Sequence, residues 1–422
     1  MDVFTLFTLI IVVLGTLNLF RLTFFMVGSD IYGLKNHIRK RKKSTYEPNV
    51  IVVIPAYNEE ISITSCVTSV LRSNYPREKL EVIVINDGST DKTKEILEEY
   101  QLKSNARNLK IVTQENSGKA HSLNNGIRNY SHGELVMCLD GDSILSENAI
   151  KNAVLYFEKE NVMALASNLK IQKGKGILNL IQRFEYAVSY QMKKAQTVFN
   201  IEYIIGGVGS IFRRSILEKV RFYDTNTVTE DIDLTMKIIN NGNKEFRVIY
   251  GSDVVAYTQS ALTIKDLIKQ RYRWKWGRYQ TFLKNKKLFF SFDKKYTKGL
   301  SWFYLPFALF TDITFFLEPL MLTYIWLVIL GHRDYGSFLV MIAIVTYYLV
   351  LNILSEDTFS FKEKLELIIV APFMYILFYT LSMVEYVALI KSWINMPGLK
   401  KSLLSDKQNW KPITRLGFKE SV

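Results

Sequence analysis

Long apolar stretches near both ends of this 422-residue chain limit what it can fold into more than any other feature. Residues 4–27 are almost wholly apolar, and residues 302–330, 336–354 and 365–390 repeat the pattern toward the other end. At about 1.5 Å rise per residue, each can cross a hydrocarbon layer about 30 Å thick. Backbone placed in such a layer must satisfy its own hydrogen bonds, so these stretches read as helices. No small-residue cleavage site follows the first one, which therefore reads as an anchor and not a signal peptide. The basic run at residues 37–43 comes next; by the positive-inside rule it puts residue 36 onward in the cytoplasm.

The other end carries a conflict. Three C-terminal crossings leave the tail outside, whereas Lys391, Lys400, Lys401, Lys407, Lys411, Arg415 and Lys419 argue for the inside. Three crossings are expected, with Pro306, Asp312 and Pro319 offering a way to split the first into a short hairpin. Asp312, Glu318 and Glu385 fall within these spans, where carboxylates face a bundle interior or an aqueous path. A net charge of +14 with 48% hydrophobic residues fits a membrane protein with a basic cytoplasmic face, and argues against a nucleic-acid binder. Cys66 and Cys138 have no disulfide or metal spacing, so a reducing compartment is expected. His37, His121, His132 and His332 form no zinc-ligand cluster.

From Asn49 the pattern switches to buried strands alternating with helices, which predicts an α/β sheet of strongly parallel character. Strands are expected at 50–54, 81–85, 110–113 and 135–139. Turn formers follow them: Pro55-Ala56-Tyr57-Asn58-Glu59-Glu60, Asn86-Asp87-Gly88-Ser89-Thr90, Asn116-Ser117-Gly118-Lys119 and Asp140-Gly141-Asp142. Polar residues at strand ends are where open α/β sheets bind ligands. In Asp140-Gly141-Asp142 the glycine is expected to turn the backbone so that both carboxylates converge on one hard cation. Thr90, or alternatively Thr93, is expected to cap the helix that begins near Asp91.

Further along, residues 177–186 have helical periodicity suited to a membrane interface or a core-facing helix. Gly206, Gly207 and Gly209 imply close approach of backbone to something bulky. Thr227 and Glu230 fit a capping box at the start of a helix that also carries Asp231 and Asp233. Residues 262–290 read as a basic, aromatic amphipathic helix pair containing Gln270-Arg271-Tyr272-Arg273-Trp274.

Asp87, Asp140/Asp142, Thr229-Glu230-Asp231 and Gln270/Arg273/Trp274, in this order and framed by membrane segments, resemble the D, DxD, TED, QxxRW signature of processive membrane-embedded family 2 glycosyltransferases. The resemblance covers residues 50–280, with Val53-Ile-Pro-Ala-Tyr-Asn-Glu59 and Gly118-Lys119. It is nearest to the poly-β-1,6-N-acetylglucosamine synthases within the chitin, hyaluronan and cellulose synthase group. It implies a GT-A nucleotide-sugar-binding domain joined to an α-helical transmembrane bundle with interfacial amphipathic helices. The divisions expected are a transmembrane helix (1–30), a basic cytoplasmic linker (31–48), the GT-A domain (49–260), QxxRW-bearing interfacial helices (261–300), a transmembrane bundle (301–391) and a basic tail (392–422).

The resemblance implies roles residue by residue. Ala56, Tyr57, Glu59 and Asp87 would hold the nucleotide, joined by Lys119 and Asp140. Asp142 with Asp140 would bind Mg²⁺ or Mn²⁺. Asp231 would be the general base, with Glu230 beside it in the catalytic pair. Gln270, Arg273 and Trp274 would close over the donor, and Gly206, Gly207, Ser210 and Trp274 would meet the acceptor. The chemistry asks for these types: an Arg fork and a cation stabilise a leaving diphosphate, and a carboxylate takes a hydroxyl proton. A single displacement inverts the anomeric centre.

The activity implied is elongation of a β-linked polysaccharide from UDP-N-acetylglucosamine at the plasma membrane. A cytoplasmic catalytic domain, passage of the polymer across the bilayer and a small membrane partner subunit go with it. The rivals are another family 2 synthase, a transferase adding one sugar to a lipid, and a non-catalytic nucleotide-binding channel or scaffold. One departure stands out: Trp274-Lys-Trp-Gly-Arg278 is bulkier and more basic than the family usually has after that Trp, which bears on the acceptor.

Overall fold

A computed structural model describes residues 3–40, 44–130, 132–405 and 416–418. The basic residues at 41–43 and Lys407, Lys411, Arg415 and Lys419 lie outside them. Helix α1 (Val3–Lys40) leads to β1 (Val50–Ala56), α2 (Ile63–Leu71), β2 (Leu80–Asp87), α3 (Thr93–Ser104), β3 (Leu109–Gln114), α4 (Lys119–Asn129) and β4 (Leu135–Cys138). Then come β5 (Ser143–Leu145), α5 (Ala149–Val154), β6 (Val162–Ile171), α6 (Ile177–Phe199), β7 (Ser210–Arg213), α7 (Arg214–Lys219), α8 (Glu230–Asn240), β8 (Arg247–Thr258) and α9 (Ile264–Lys284). The C-terminal part holds α10 (Leu305–His332), α11 (Tyr335–Leu354), α12 (Phe361–Val370), α13 (Met374–Ile394) and the short α14 (Leu399–Ser402).

The strands form one sheet in the order β3-β2-β1-β4-β7-β6-β8-β5. β1 to β4 run parallel, as their βα alternation requires. Successive side chains of β1 alternate between two cores. Ile51 and Val53 face Ile83, Ile85, Leu123 and Ile127, while Val50, Val52 and Ile54 face Ile63, Cys66 and Val67. Beyond β4 the sheet turns mixed: β7 is antiparallel to both β4 and β6, and β8 is parallel to β6. Register sets Ala56 opposite Asn86 and Val53 opposite Cys138, so the loops after β1, β2 and β4 leave the same edge.

Several local expectations give way to tertiary demands. Helix α3 starts at Thr93, not at Asp91, and no side chain caps it: Thr93 donates to Asp91 Oδ1 and accepts from the Glu59 amide (2.8 Å). Residues 262–290 form one long helix, α9, followed by a single turn at Lys286–Leu288, not a helix pair. Helix α1 outruns the expected anchor. Its second half buries Phe25, Ser29, Tyr32 and Asn36 against the sheet domain, where Tyr32 donates to the Tyr250 carbonyl (2.7 Å).

Among the described residues, four helical stretches are long and apolar enough to cross a membrane: residues 5–37, 299–332, 335–354 and 361–394. The first C-terminal span is not split at its prolines. α10 runs unbroken through Pro319, and Asp312 is kept inside it by Lys275 Nζ (3.1 Å), Arg278 and the Tyr279 hydroxyl (2.7 Å) of α9. The last stretch differs from the others because both its ends touch the membrane-distal part of the molecule, one at β6 and α6 and the other at α9. Before it, Glu356 accepts from Asn168 Nδ2 (3.4 Å); within α12, Glu366 pairs with Arg183 of α6 (3.1 Å). After it, Asn395 donates to the Tyr272 hydroxyl (3.1 Å) and Ser402 accepts from Gln280 (2.8 Å).

Asp312 neutralises two cations in a nearly dry setting, so removing it leaves Lys275 and Arg278 without that partner. Asp312→Ala is expected to cost about 3–5 kcal/mol, read as a lower thermal midpoint of the detergent-solubilised protein. An unchanged midpoint would show that the pairing does not hold α9 to α10.

Candidate active site

The Asp140-Gly141-Asp142 turn begins where β4 ends. Leu139 N–H still donates to the Val53 carbonyl (3.1 Å), and Ser143 N–H then closes the turn on the Asp140 carbonyl (3.0 Å). Gly141 is needed for close approach and not for a left-handed turn. A Cβ there would lie 3.2 Å from Glu59 Cγ and 3.4 Å from the Pro55 carbonyl oxygen.

Asp87, at the end of β2, faces the loop before α4. Its carboxylate accepts from Gly118 N–H (2.8 Å), Ser117 N–H (3.0 Å) and Gln114 Nε2 (2.7 Å). That grip sets the start of α4 and delivers Lys119, whose Nζ lies 2.6 Å from Asp140 Oδ1 and 2.9 Å from Glu230 Oε1. Burial alone would lower the pKa of Lys119, but Asp140, Glu230 and Asp231 outweigh it and hold it raised. Gly207 marks where these groups meet. A Cβ on it would be 2.9 Å from Lys119 Nζ and 3.7 Å from both Asp140 Oδ1 and Asp231 Oδ2.

Thr229, Glu230 and Asp231 open α8. The capping box expected from Thr227 and Glu230 is absent: Thr229 is the N-cap, with no side-chain cap bond. Glu230 cannot reach back to the backbone because its carboxylate is held by Lys119. Asp231 accepts from the Ile232 amide (2.8 Å). Burial, then the charge of Glu230, push its pKa up to about 6 against the pull of Lys119 and Arg273. Two carboxylates in one pocket with unequal environments are the usual arrangement for acid–base work near neutral pH.

Helix α9 lies against the start of α8 because residue 277 has no side chain: a Cβ on Gly277 would sit 2.8 Å from Thr229 Cβ. The Val228 amide also donates to Gln280 Oε1 (3.0 Å). Gln270, Arg273, Trp274 and Gly277 recur at helical spacing and so share the side of α9 toward Glu230 and Asp231. Arg271, Lys275 and Arg278 form a second row, which pairs with Glu185 of α6, Asp312 of α10 and Glu385 of α13.

One cavity of about 450 Å³ collects ten of the expected residues: Lys119, Asp140, Asp142, Gly206, Gly207, Glu230, Asp231, Gln270, Arg273 and Trp274. Five others do not line it. Asp87 acts through the 117–118 amides, and Ser210 is buried in the sheet opposite Cys138. Ala56, Tyr57 and Glu59 belong to the end of β1 and the loop after it, which is tied to the 89–93 loop by Asn58 N–H donating to Ser89 Oγ (3.0 Å). Leu416 and Gly417 N–H donate to Gln259 Oε1 (2.9 and 3.0 Å), and Gly417 lies against Ile61 beyond that loop.

Several residues of the wall have no site role assigned from sequence, although Glu385 is expected to face an interior or aqueous path and Lys275 and Arg278 to bear on the acceptor. Lys193 holds the glycine loop through the Ile204 carbonyl (3.0 Å) and Glu202 (3.5 Å), and Glu185, Arg271, Lys275, Arg278 and Glu385 complete the membrane-side end. The signal was present: Glu185, Ser189 and Lys193 recur every four residues along one helix face. Among the described residues no three His, Cys, Asp or Glu side chains gather as a metal site. Asp140 and Asp142 are two carboxylates beside open space, which suits a hard cation that completes its shell with water and phosphate oxygens.

Comparison with known proteins agrees with this geometry. Residues 51–221 match the model of glycosyl transferase family 2. That segment is similar to family 2 glycosyltransferase domains. It is 32% identical over 270 residues to a poly-β-1,6-N-acetyl-D-glucosamine synthase of Staphylococcus aureus, covering 62% of this chain and 64% of that protein. A synthase of the same description from Staphylococcus epidermidis is 35% identical over 265 residues, covering 62% of this chain and 61% of the relative. In both cases less than two thirds of the relative is spanned. A mannosyltransferase from Pyrobaculum calidifontis, solved with GDP-Man and Mn²⁺, shares the fold with a TM-score of 0.56 at 19% identity, over 89% of this chain and 96% of that one. The catalytic domain thus has the GT-A fold expected from its strand-end motifs.

Gly277→Val would force a branched side chain into Thr229, and overpacking of this kind costs about 1–3 kcal/mol. The expected outcome is a lower thermal midpoint that Thr229→Ala partly restores in the double variant. Additive losses in the two variants would mean that α8 and α9 are not in the contact inferred.

Proposed function

We propose that this protein is an inverting, metal-dependent glycosyltransferase that elongates a β-linked polysaccharide, best matched to poly-N-acetylglucosamine, from UDP-N-acetylglucosamine. The observation carrying the reading is the meeting of Lys119, Asp140 and Asp231 around Gly207 in a cavity that also contains Asp142 and Arg273. A leaving diphosphate needs concentrated positive charge, and Lys119 and Arg273 supply it from the protein. Mg²⁺ or Mn²⁺ held by Asp140 and Asp142 would add charge stabilisation for the same phosphates. Asp231, whose pKa of about 6 leaves it ionised at neutral pH, takes the acceptor hydroxyl proton as the new bond forms. Displacement in one step gives a β-linkage from an α-linked donor.

The membrane arrangement follows from contacts. Residues 361–394 begin beside Asn168 and Arg183 and end beside Tyr272 and Gln280 of α9, so α12 and α13 together enter and leave the bilayer on one side, with Tyr375 reaching Phe338 and Met341 of α11. Helices α1, α10 and α11 then make three crossings. This keeps residues 395–402 on the cytoplasmic side with the catalytic domain, in accord with Lys400 and Lys401. Lys275 and Arg278 of α9 and Glu385 of α13 line the cavity's end beside Asp312 of α10, which supports passage of product toward the bilayer.

Purified protein in lipid nanodiscs, given radiolabelled UDP-N-acetylglucosamine and Mg²⁺ or Mn²⁺, should make long products, and chelation should abolish them. Single-sugar products would replace the polymer reading by that of a lipid-directed transferase. Asp231→Asn should lower transfer by about 10²–10⁴-fold while leaving UDP binding intact. The wild-type rate should rise with pH through about 6, because the base is protonated and idle below that value. The Asn variant should lose that limb. Unchanged nucleotide release in Asp231→Asn would remove the enzyme reading altogether.

A further inference from the structure

Trp274 lines the cavity beside the catalytic acids, and its indole is held by the residue one turn before it. The Arg271 guanidinium carbon lies 4.3 Å from the centre of the Trp274 ring. Arg271 itself is only 4% exposed and cannot swing away. Its Nη2 is 2.6 Å from Glu185 Oε2 on α6, and its Nε is 3.4 Å from Glu385 Oε1 on α13. Glu385 is anchored in turn by Lys275 Nζ (3.5 Å). Carboxylates from two separate helices therefore clamp one planar cation against one aromatic ring.

We propose that Arg271, fixed by Glu185 and Glu385, is a positioning residue that sets the orientation of Trp274 as the platform for the acceptor sugar, so that grip on the growing chain is controlled from α6 and α13. The proposal rests on the transferase reading given above. The physical argument is one of freedom. A half-buried indole beside open space has alternative ring orientations, and a stacked guanidinium selects one of them. Lysine at 271 would keep the charge for both carboxylates, but a compact ammonium lacks the planar face and the fork. Charge and stacking can therefore be separated by one substitution.

The test uses Arg271→Lys and Glu185→Gln in the full chain, in nanodiscs. Steady-state transfer is measured to a short β-1,6-linked N-acetylglucosamine oligosaccharide with UDP-N-acetylglucosamine as donor. Arg271→Lys should raise KM for the oligosaccharide about tenfold, the scale of one desolvated cation–π contact, and shorten the products. KM for the donor should stay within about twofold, since the donor phosphates are met by other side chains. Glu185→Gln should move the same parameters in the same direction, by less. A second readout is the Trp274 contribution to emission, taken as the difference between each protein and its Trp274→Phe counterpart; it should shift in position or in acrylamide quenching in Arg271→Lys. The proposal is overturned if donor and acceptor KM rise together, if kcat alone falls, or if the Trp274 emission difference is unchanged. A wild-type protein that transfers no sugar to the oligosaccharide would instead sink the transferase reading, while the emission difference would still decide the positioning claim.

Discussion

Three carboxylates are brought within reach of one another and of one half-buried lysine, and this arrangement is what the sheet domain is built to hold. Asp140, Glu230 and Asp231 would repel at such range, and in a partly desolvated pocket more strongly than in open water. Lys119 sits between Asp140 and Glu230 and makes the cluster tenable. Its placement depends in turn on Asp87, which grips the amides at the start of α4. Asp87, read in sequence as a nucleotide ligand, is in the fold also a brace for the loop that carries the lysine. The cluster stays charged and poised, and Asp231 carries the raised pKa that results.

Helix α9 is the second organising piece, because it belongs to two environments at once. The Gln270, Arg273, Trp274 and Gly277 side closes the acidic pocket, with Gly277 allowing contact at Thr229. The Arg271, Lys275 and Arg278 side is bound by acids on α6, α10 and α13. The bulky, basic run after Trp274, unusual against the family pattern, is accounted for by these partners. Lys275 and Arg278 neutralise Asp312, and Trp276 packs with Tyr279 and Leu399. Paired charges therefore join α9 to three other helices directly.

Most of the pocket was legible residue by residue because strand-end chemistry is local. A run of buried apolar residues ending in Asp140-Gly141-Asp142 can only place those carboxylates at the carboxyl edge of a parallel sheet. The parallel strands follow from such signals taken in order, whereas the meeting of acids 140 to 231 was implied only by the resemblance of the whole motif series. What failed were readings that assumed each side chain serves its own neighbourhood. Thr227 and Glu230 have the spacing of a capping box, yet Glu230 is drawn to Lys119, more than a hundred positions earlier. Thr93 was an alternative cap and became the link between two loops. Residues 262–290 looked like two helices, because a helix facing acids on both sides lacks a single apolar stripe.

Sequence alone determined the class of the molecule: apolar stretches that must be helical in a membrane, a βα alternation that must give a parallel sheet, and polar residues at the ends of its strands. Those outcomes depend on backbone hydrogen bonding and on side-chain period, which act over a few residues. Only the tertiary structure decided which charges meet, that Asp87 serves Lys119, that Gly277 admits α9 to Thr229, and that both ends of residues 361–394 return to the catalytic domain. Charge pairing and close packing depend on distances between elements remote in the chain, and no local pattern encodes those distances.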